Sequence, residues 1–101
     1  MLTERKLVTV LFCDLAGSTR LAERLDAEAF QTIQSAYFDR MRAVVERYEG
    51  SLEKFVGDAI VAVFGVPTLH EDDAERAVRC ALGMREALEG LNVEYHTTTE
   101  P

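Results

Sequence analysis

Residues 51–65 read SLEKFVGDAIVAVFG, and this stretch constrains the fold more than any other. Two strand-like runs flank Gly57-Asp58, which predicts a β-hairpin closed by a two-residue turn. The second run, Ala59 to Phe64, is wholly apolar, so it is expected in the centre of a sheet. A hairpin of this kind fixes an antiparallel sheet and argues against a chain of alternating parallel strands and helices.

The rest of the chain supplies elements to surround that hairpin. Lys6 to Cys13 (KLVTVLFC) is β-branched and apolar with almost no polar alternation, the pattern of a strand covered on both faces. The stretch Leu15-Ala16-Gly17-Ser18-Thr19 is a tight turn, with Ser18 or Thr19 as the N-cap of a short helix reaching about Leu25. Asp26 caps a long helix. Its apolar residues Phe30, Ile33, Tyr37, Met41, Val44, Val45 and Tyr48 fall on one stripe. Gly50 is expected as its left-handed stop. Beyond the hairpin, the acidic run Glu71-Asp72-Asp73 suits a helix N-terminus. That helix is expected to bury Ala74, Ala77, Val78, Ala81, Leu82 and Leu88 and to stop near Gly90. Val93, Tyr95 and Thr97 alternate as in a short fourth strand. The order β-α-α-β-β-α predicts an α+β sandwich of the ferredoxin-like kind, with helices on one face of an antiparallel sheet and an open edge along strand one.

Composition narrows the partners. The 101 residues fit one domain, and no linker or repeat interrupts residues 1 to 90. Eighteen acidic against 11 basic residues give a net charge of −7, which disfavours nucleic acid and anionic membranes as partners. An acidic chain that handles a polyphosphate needs a bridging cation. No apolar run approaches the roughly 18 residues of a membrane span. The apolar run near the N-terminus leads into Asp14 rather than a small-residue cleavage site, so it reads as a strand and not a signal peptide. Cys13 and Cys80 match neither a metal site nor a disulfide framework, and their apolar surroundings suit the reducing cytoplasm.

Two aspartates stand out as candidates for chemistry. Asp14 ends the first strand and Asp58 sits at the hairpin tip, so both carboxylates can reach one edge of the sheet. Converging carboxylates repel unless a cation lies between them, and Mg²⁺ suits one or two carboxylates with water and phosphate oxygens completing its shell. The alternative is structural: Asp14 caps the following turn and Asp58 fills a turn position where Asp is common. The turn Leu15 to Thr19 has the small residues and backbone N–H groups that let phosphate approach, or is an ordinary strand-to-helix turn. Lys54 shares a strand face with Asp58 and could hydrogen-bond a purine edge, or is a solvated edge lysine. His70 reads as a surface histidine. Arg76, Arg79 and Arg85 are spaced to pair with Asp72, Asp73, Glu75 and Glu89 along a helix.

Three motifs in order, VTVLFCDLAGST, LEKFVGDAIVAVFG and HEDDAERAVRCAL, resemble the class III nucleotidyl cyclase catalytic domain, most closely its bacterial adenylate cyclase-like members. The similarity runs from about Leu7 to Leu88, with residues 91–101 an atypical tail. It implies that Asp14 and Asp58 hold two Mg²⁺ or Mn²⁺ ions, with the Leu15 carbonyl also touching a metal. It implies that Ala16, Gly17, Ser18 and Thr19 contact the triphosphate and that Lys54 reads adenine. The implied reaction converts ATP to cyclic AMP and pyrophosphate, a phosphorus–oxygen lyase step in cyclic nucleotide signalling. It further implies a cytoplasmic homodimer through the catalytic domain, with active sites at the interface and a regulatory or output domain attached.

The family's second portion supplies a further purine-reading residue and an Asn and Arg for the transition state. NVEYHTTTEP carries no counterpart, so the chain is expected to hold the N-terminal part of the domain and to turn over little or nothing alone. Losing such charge stabilisers costs about 10² to 10³ in rate each. The competing reading is a non-catalytic nucleotide-binding or dimerisation module that regulates an attached domain. A phospho-accepting receiver domain also places an Asp at a strand end, but it requires a parallel sheet.

Overall fold

The computed structural model describes residues 7–56, 59–66 and 69–95. The elements are β1 (Thr9–Cys13), α1 (Ser18–Arg24), α2 (Ala27–Arg47), β2 (Ser51–Val56), β3 (Ala59–Phe64) and α3 (Asp73–Tyr95). The apolar run of the hairpin is the central strand, as expected. β3 lies between β1 and β2 and is antiparallel to both. Its Ala59, Ile60, Ala62 and Phe64 are buried. The hairpin tip, Gly57-Asp58, lies outside the described residues. A bulge interrupts the β2–β3 ladder between Leu52 and Lys54, a local irregularity that the alternation of side chains does not announce.

Both long helices cover one face of this sheet. α2 packs on β2 and on α3, and α3 packs on β1 and β3. Tyr37, Met41 and Val45 of α2 meet Cys80, Met84, Leu88 and Leu91 of α3 over Ile60, Ala62 and Phe64. The helices approach closely at Gly83, where an added Cβ would lie 3.0 Å from Val44 Cγ1. No helix among the described residues is long and apolar enough to cross a membrane.

Four expectations need correction. β1 is not covered on both faces: Leu11 and Cys13 pack into the core, whereas Val10 and Phe12 are 57% and 62% exposed. The reason is that α2 and α3 share one side, so among the described residues no helix layer covers the opposite face of the sheet. Gly50 is not the left-handed stop of α2. Glu49 takes that conformation, at φ 62°. The Glu49 N–H donates to the Glu46 carbonyl and the Gly50 N–H to the Val45 carbonyl, the bonding of a Schellman motif with Glu49 at the left-handed position. Gly50 is needed for space, because a Cβ there would lie 2.8 Å from the Phe64 ring.

The third correction concerns α3. Its core stripe is Ala77, Cys80, Met84, Leu88 and Leu91, while Ala74 is exposed and Val78 and Leu82 are 62% and 56% exposed. Apolar residues occupy more than one side of this helix, and the stripe that meets the sheet includes Cys80 and Met84. The fourth is its length. α3 passes Gly90 and continues to Tyr95, so Val93 and Tyr95 are helical and not in a strand; Thr97 lies outside the described residues. Gly90 sits on the outer side with no heavy atom near a built Cβ. A glycine in an exposed turn costs a helix only about 1 kcal/mol, and the Arg40–Glu94 ion pair joins α2 to this last stretch.

Candidate active site

β1 ends at Cys13, which pairs with Ile60. The next residue, Asp14, therefore leaves the ladder at the level of Ala59, the residue that follows Asp58 in sequence. The register thus brings Asp14 to the same end of the sheet as the hairpin tip. Asp58 itself lies outside the described residues, so the geometry here is that of Asp14 and the turn after it.

Asp14 is exposed, and its Oδ1 accepts a hydrogen bond of 2.9 Å from the Leu15 N–H. The structural role weighed for Asp14 is therefore real, and it engages one carboxylate oxygen. Among the described residues no lysine or arginine pairs with this carboxylate, and no three His, Cys, Asp or Glu side chains cluster as a ready-made metal cage. An exposed carboxylate of hard oxygen donors without a protein cation suits a divalent ion such as Mg²⁺, which takes one or two carboxylates and completes its shell elsewhere.

The turn is anchored on one side and open on the other. Leu15 packs against the core, while Ala16 and Gly17 are exposed. Gly17 has φ 88°, a left-handed conformation that residues with a Cβ rarely adopt, and it serves as the N-cap of α1. Ser18 and Thr19 open the helix instead of capping it. The Gly17 carbonyl accepts the Leu21 N–H at 3.1 Å. Lys54 lies in β2, with its backbone paired to Val61, which pairs in turn with Phe12. Across the described residues, then, Asp14, Leu15, Ala16, Gly17, Ser18 and Thr19 form one continuous turn at one end of the sheet. Lys54 lies two strands away.

Sequence reasoning missed the support beneath this end. Cys13, the residue before Asp14, packs against the core cluster that includes Tyr37 of α2 and Cys80 of α3. Burial pushes the Cys13 thiol up from its ordinary value. Burial pushes the Cys80 thiol up to about 11. Both sulfurs are therefore neutral thiols near pH 7. The signal available in the sequence was a tyrosine among aliphatic residues on the helix stripe, whose hydroxyl must find a partner once buried.

The opposite end of the sheet carries a network that was also unforeseen. His70 is not a lone surface histidine: its Nε2 lies 3.2 Å from Glu49 Oε2 and its Nδ1 3.4 Å from Asp73 Oδ1. The His70 backbone N–H donates to Asp73 Oδ2 at 3.0 Å. The expected helical pairs Arg76–Asp72, Arg79–Glu75 and Arg85–Glu89 are all present, and Arg76 also reaches Glu49.

This architecture defines a class: an antiparallel sheet with helices on one face and a strand-end aspartate beside a small-residue turn. The sequence profile of the adenylate and guanylate cyclase catalytic domain matches residues 2–100. The chain belongs to that family, and its fold is the ferredoxin-like fold of the nucleotidyl cyclases. It is 35% identical over 88 residues to adenylate cyclase 1 of Rhizobium meliloti, covering 87% of this chain and 13% of that protein. It superposes on the adenylyl cyclase CyaB of P. aeruginosa with a TM-score of 0.89 and 34% identity, covering 100% of this chain and 54% of that one. The guanylyl cyclase Cya2 gives a TM-score of 0.81 and 38% identity over 87% of this chain and 45% of its own. The chain thus spans about half of the solved cyclase chains it matches and a small share of the longer relative.

Proposed function

We propose that this chain is the metal- and nucleotide-binding part of an adenylate cyclase domain that converts ATP to cyclic AMP and pyrophosphate. The observation that carries the reading is the strand register, which sets Asp14 level with the residue after Asp58, while among the described residues no lysine or arginine pairs with the Asp14 carboxylate. In this reading Asp14 and Asp58 hold two Mg²⁺ or Mn²⁺ ions, and the Leu15 carbonyl adds a ligand. Such ions lower the pKa of a bound hydroxyl and neutralise triphosphate charge. Ala16, Gly17, Ser18 and Thr19 present backbone to the triphosphate, which Gly17 permits by its left-handed conformation. Lys54 reads the purine, with adenine favoured over guanine. The ribose 3′-oxygen bonds to the α-phosphorus as the bond to the pyrophosphate oxygen breaks.

A second copy of the chain is the proposed partner. The support is the sheet face on which Val10 and Phe12 are exposed. The length of the Rhizobium relative supports an attached regulatory or output domain, and ATP as substrate suits the cytoplasm.

Calorimetric titration of the chain with Mn²⁺-ATP tests the site. Asp14→Asn is expected to weaken binding by at least the ~10-fold that changes around a metal ligand cost, and Asp58→Asn likewise. Lys54→Glu is expected to shift preference from ATP towards GTP. Binding indifferent to both aspartates would overturn the metal reading. Cyclic AMP formation by the chain alone is expected to be little or none. Robust turnover abolished by Asp58→Asn would show that the chain holds a whole site.

A further inference from the structure

The sheet has two edge strands, β1 and β2, and the sequence treats them differently. An unpaired strand edge offers a row of N–H and C=O groups to any other strand, and natural chains guard it with charge, bulges or proline. β2 is guarded. It carries Glu53 and Lys54, Glu53 is exposed, and a bulge breaks its ladder between Leu52 and Lys54. β1 is not. The run from Leu7 to Cys13 holds no acid, lysine, arginine, glycine or proline, and its ladder with β3 is regular from Thr9 to Cys13. Among the described residues no strand pairs with its outer side.

The side chains beside this open edge narrow what can dock on it. Val10 and Phe12 stand on the face away from the helices, 57% and 62% exposed, and Val8, 40% exposed, continues the alternation. Their neighbours on β3, Val63 and Val61, are half-buried. A free backbone edge beside an apolar row accepts a strand with an apolar row of its own. The run has one polar residue, Thr9, which shares the core-facing row with Leu11 and Cys13. No charged side chain in it would select a foreign strand. A second copy brings an identical row, and a two-fold axis lays the two rows against each other. With the axis at Val10, the middle of the run, Val10 faces the partner's Val10 and Val8 faces the partner's Phe12. Each copy carries a net charge of −7, but none of it lies in the run, so the strands meet without like charges opposite one another.

We propose that two copies of this chain join β1 to β1, antiparallel about a two-fold axis at Val10, into one six-stranded sheet that closes at two copies. The proposal deepens the second-copy partner named above by assigning its contact, and it does not use the metal role of Asp14. The guarded β2 strands become the two ends of the joined sheet, which stops further growth. Asp14 follows the end of β1 in each copy, so the two carboxylates lie roughly 26 Å apart at about 3.3 Å per strand residue. Neither copy completes the other's site, in keeping with the little or no turnover expected of the chain alone.

Sedimentation equilibrium of the full chain tests it. A monomer–dimer equilibrium is expected, tightening as salt screens the −7 carried by each copy. Val10→Lys and Val10→Glu each set like charges opposite one another at the axis, and each is expected to raise the dimer dissociation constant about tenfold or more. An equimolar mixture of the two is expected to recover the dimer, which a variant that had merely unfolded would not do. Amide exchange followed by NMR separates edge pairing from packing of the open sheet faces. The β1 amides not bonded to β3 are expected to slow about tenfold from dilute monomer to concentrated dimer, because strand pairing bonds them and face packing does not.

A monomer at every concentration would overturn the second-copy partner itself. A dimer that survives Val10→Lys, that loosens with salt, or whose free β1 amides exchange as fast as in the monomer would overturn the edge pairing and leave a second copy docked elsewhere. A mixture of the two variants that stays monomeric would overturn the axis at Val10, and growth beyond two copies would overturn the closure.

Discussion

At one end of the three-stranded sheet, acidic side chains meet Arg76 and His70; at the other, among the described residues, Asp14 meets no lysine or arginine. Where β3 runs out, Glu49, Asp72 and Asp73 meet His70 and Arg76 in a network that ties the end of α2 to the start of α3. Where β1 runs out, Asp14 stands exposed with the Leu15 N–H as its hydrogen-bond partner. Both ends carry carboxylates in turns next to helix starts. They differ in what neutralises them. The first end closes on itself, so its charges serve the fold. Among the described residues the second leaves a hard oxygen ligand without a lysine or arginine, which suits it to an external cation.

The largest effect that would sharpen this contrast lies at the closed end. Gly50→Ala places a methyl group 2.8 Å from Phe64, a fully buried ring, and near Val45. The ring is fully buried in the core cluster shared with both long helices. Overpacking of this kind costs about 1–3 kcal/mol. A urea titration is expected to show a loss near the top of that range, while Mn²⁺ affinity of the folded fraction stays as it was. A fall in both would mean that the two ends are coupled through β3 and that the division drawn above is wrong.

Gly50 also shows what the sequence could and could not reveal. The Glu-Gly pair after a helical stripe marks a helix end correctly. Pattern alone assigns the left-handed position to glycine, because it knows nothing of Phe64 pressing on that Cα. The same limit explains α3. Ala74, Val78 and Leu82 form a periodic apolar set, as do Ala77, Met84 and Leu88. Only the position of the sheet decides between them. The hairpin, the long helix and its Asp26 cap were legible because they are local: the Asp26 carboxylate accepts the Ala29 N–H at 2.7 Å, as a cap must. The exposed face of β1 was not legible, since a run of apolar residues looks alike whether one side or both is covered. At the site, the chain order of motifs pointed to Asp14 and its turn. The packing of Cys13 against a core that holds Tyr37 and Cys80 was hidden because it joins residues far apart in sequence.

Asp73 offers a smaller test of the closed end. It is the buried carboxylate among the described residues, and its Oδ2 accepts the His70 backbone N–H. Asp73→Ala leaves that N–H without its acceptor and removes the anion beside the imidazole. Stranding a buried donor costs about 1–3 kcal/mol. Nothing comparable is expected for Asp14→Asn, because an exposed side chain whose acceptor oxygen the amide can replace changes stability by about 0.5 kcal/mol or less. Thermal midpoints of the two variants measured together decide this. Equal losses would show that Asp14 is as structural as Asp73, and the argument for a carboxylate held free would fail.

The smallest expected effect is the acid response of Asp72. The Arg76 guanidinium, hydrogen-bonded at 2.9 Å, holds the Asp72 carboxyl below its ordinary value of 3.8. A carboxyl whose folded value is depressed binds its proton first in the unfolded chain. Its contribution is therefore complete above the ordinary value and disappears as pH falls through the lower, folded one. Asp72 is half-exposed, so solvent screens the pair and the contribution is small. Urea midpoints of the native chain and of Asp72→Asn at pH 6 and pH 3 are expected to differ more at pH 6 than at pH 3, with the gap shrinking further in 0.5 M salt, an ionic strength at which exposed charges are screened within about 5 Å. A gap that persists at low pH and high salt would mean that Asp72 holds the start of α3 by its hydrogen bonds and not by its charge. The closed end would then owe its stability to geometry rather than to paired charge.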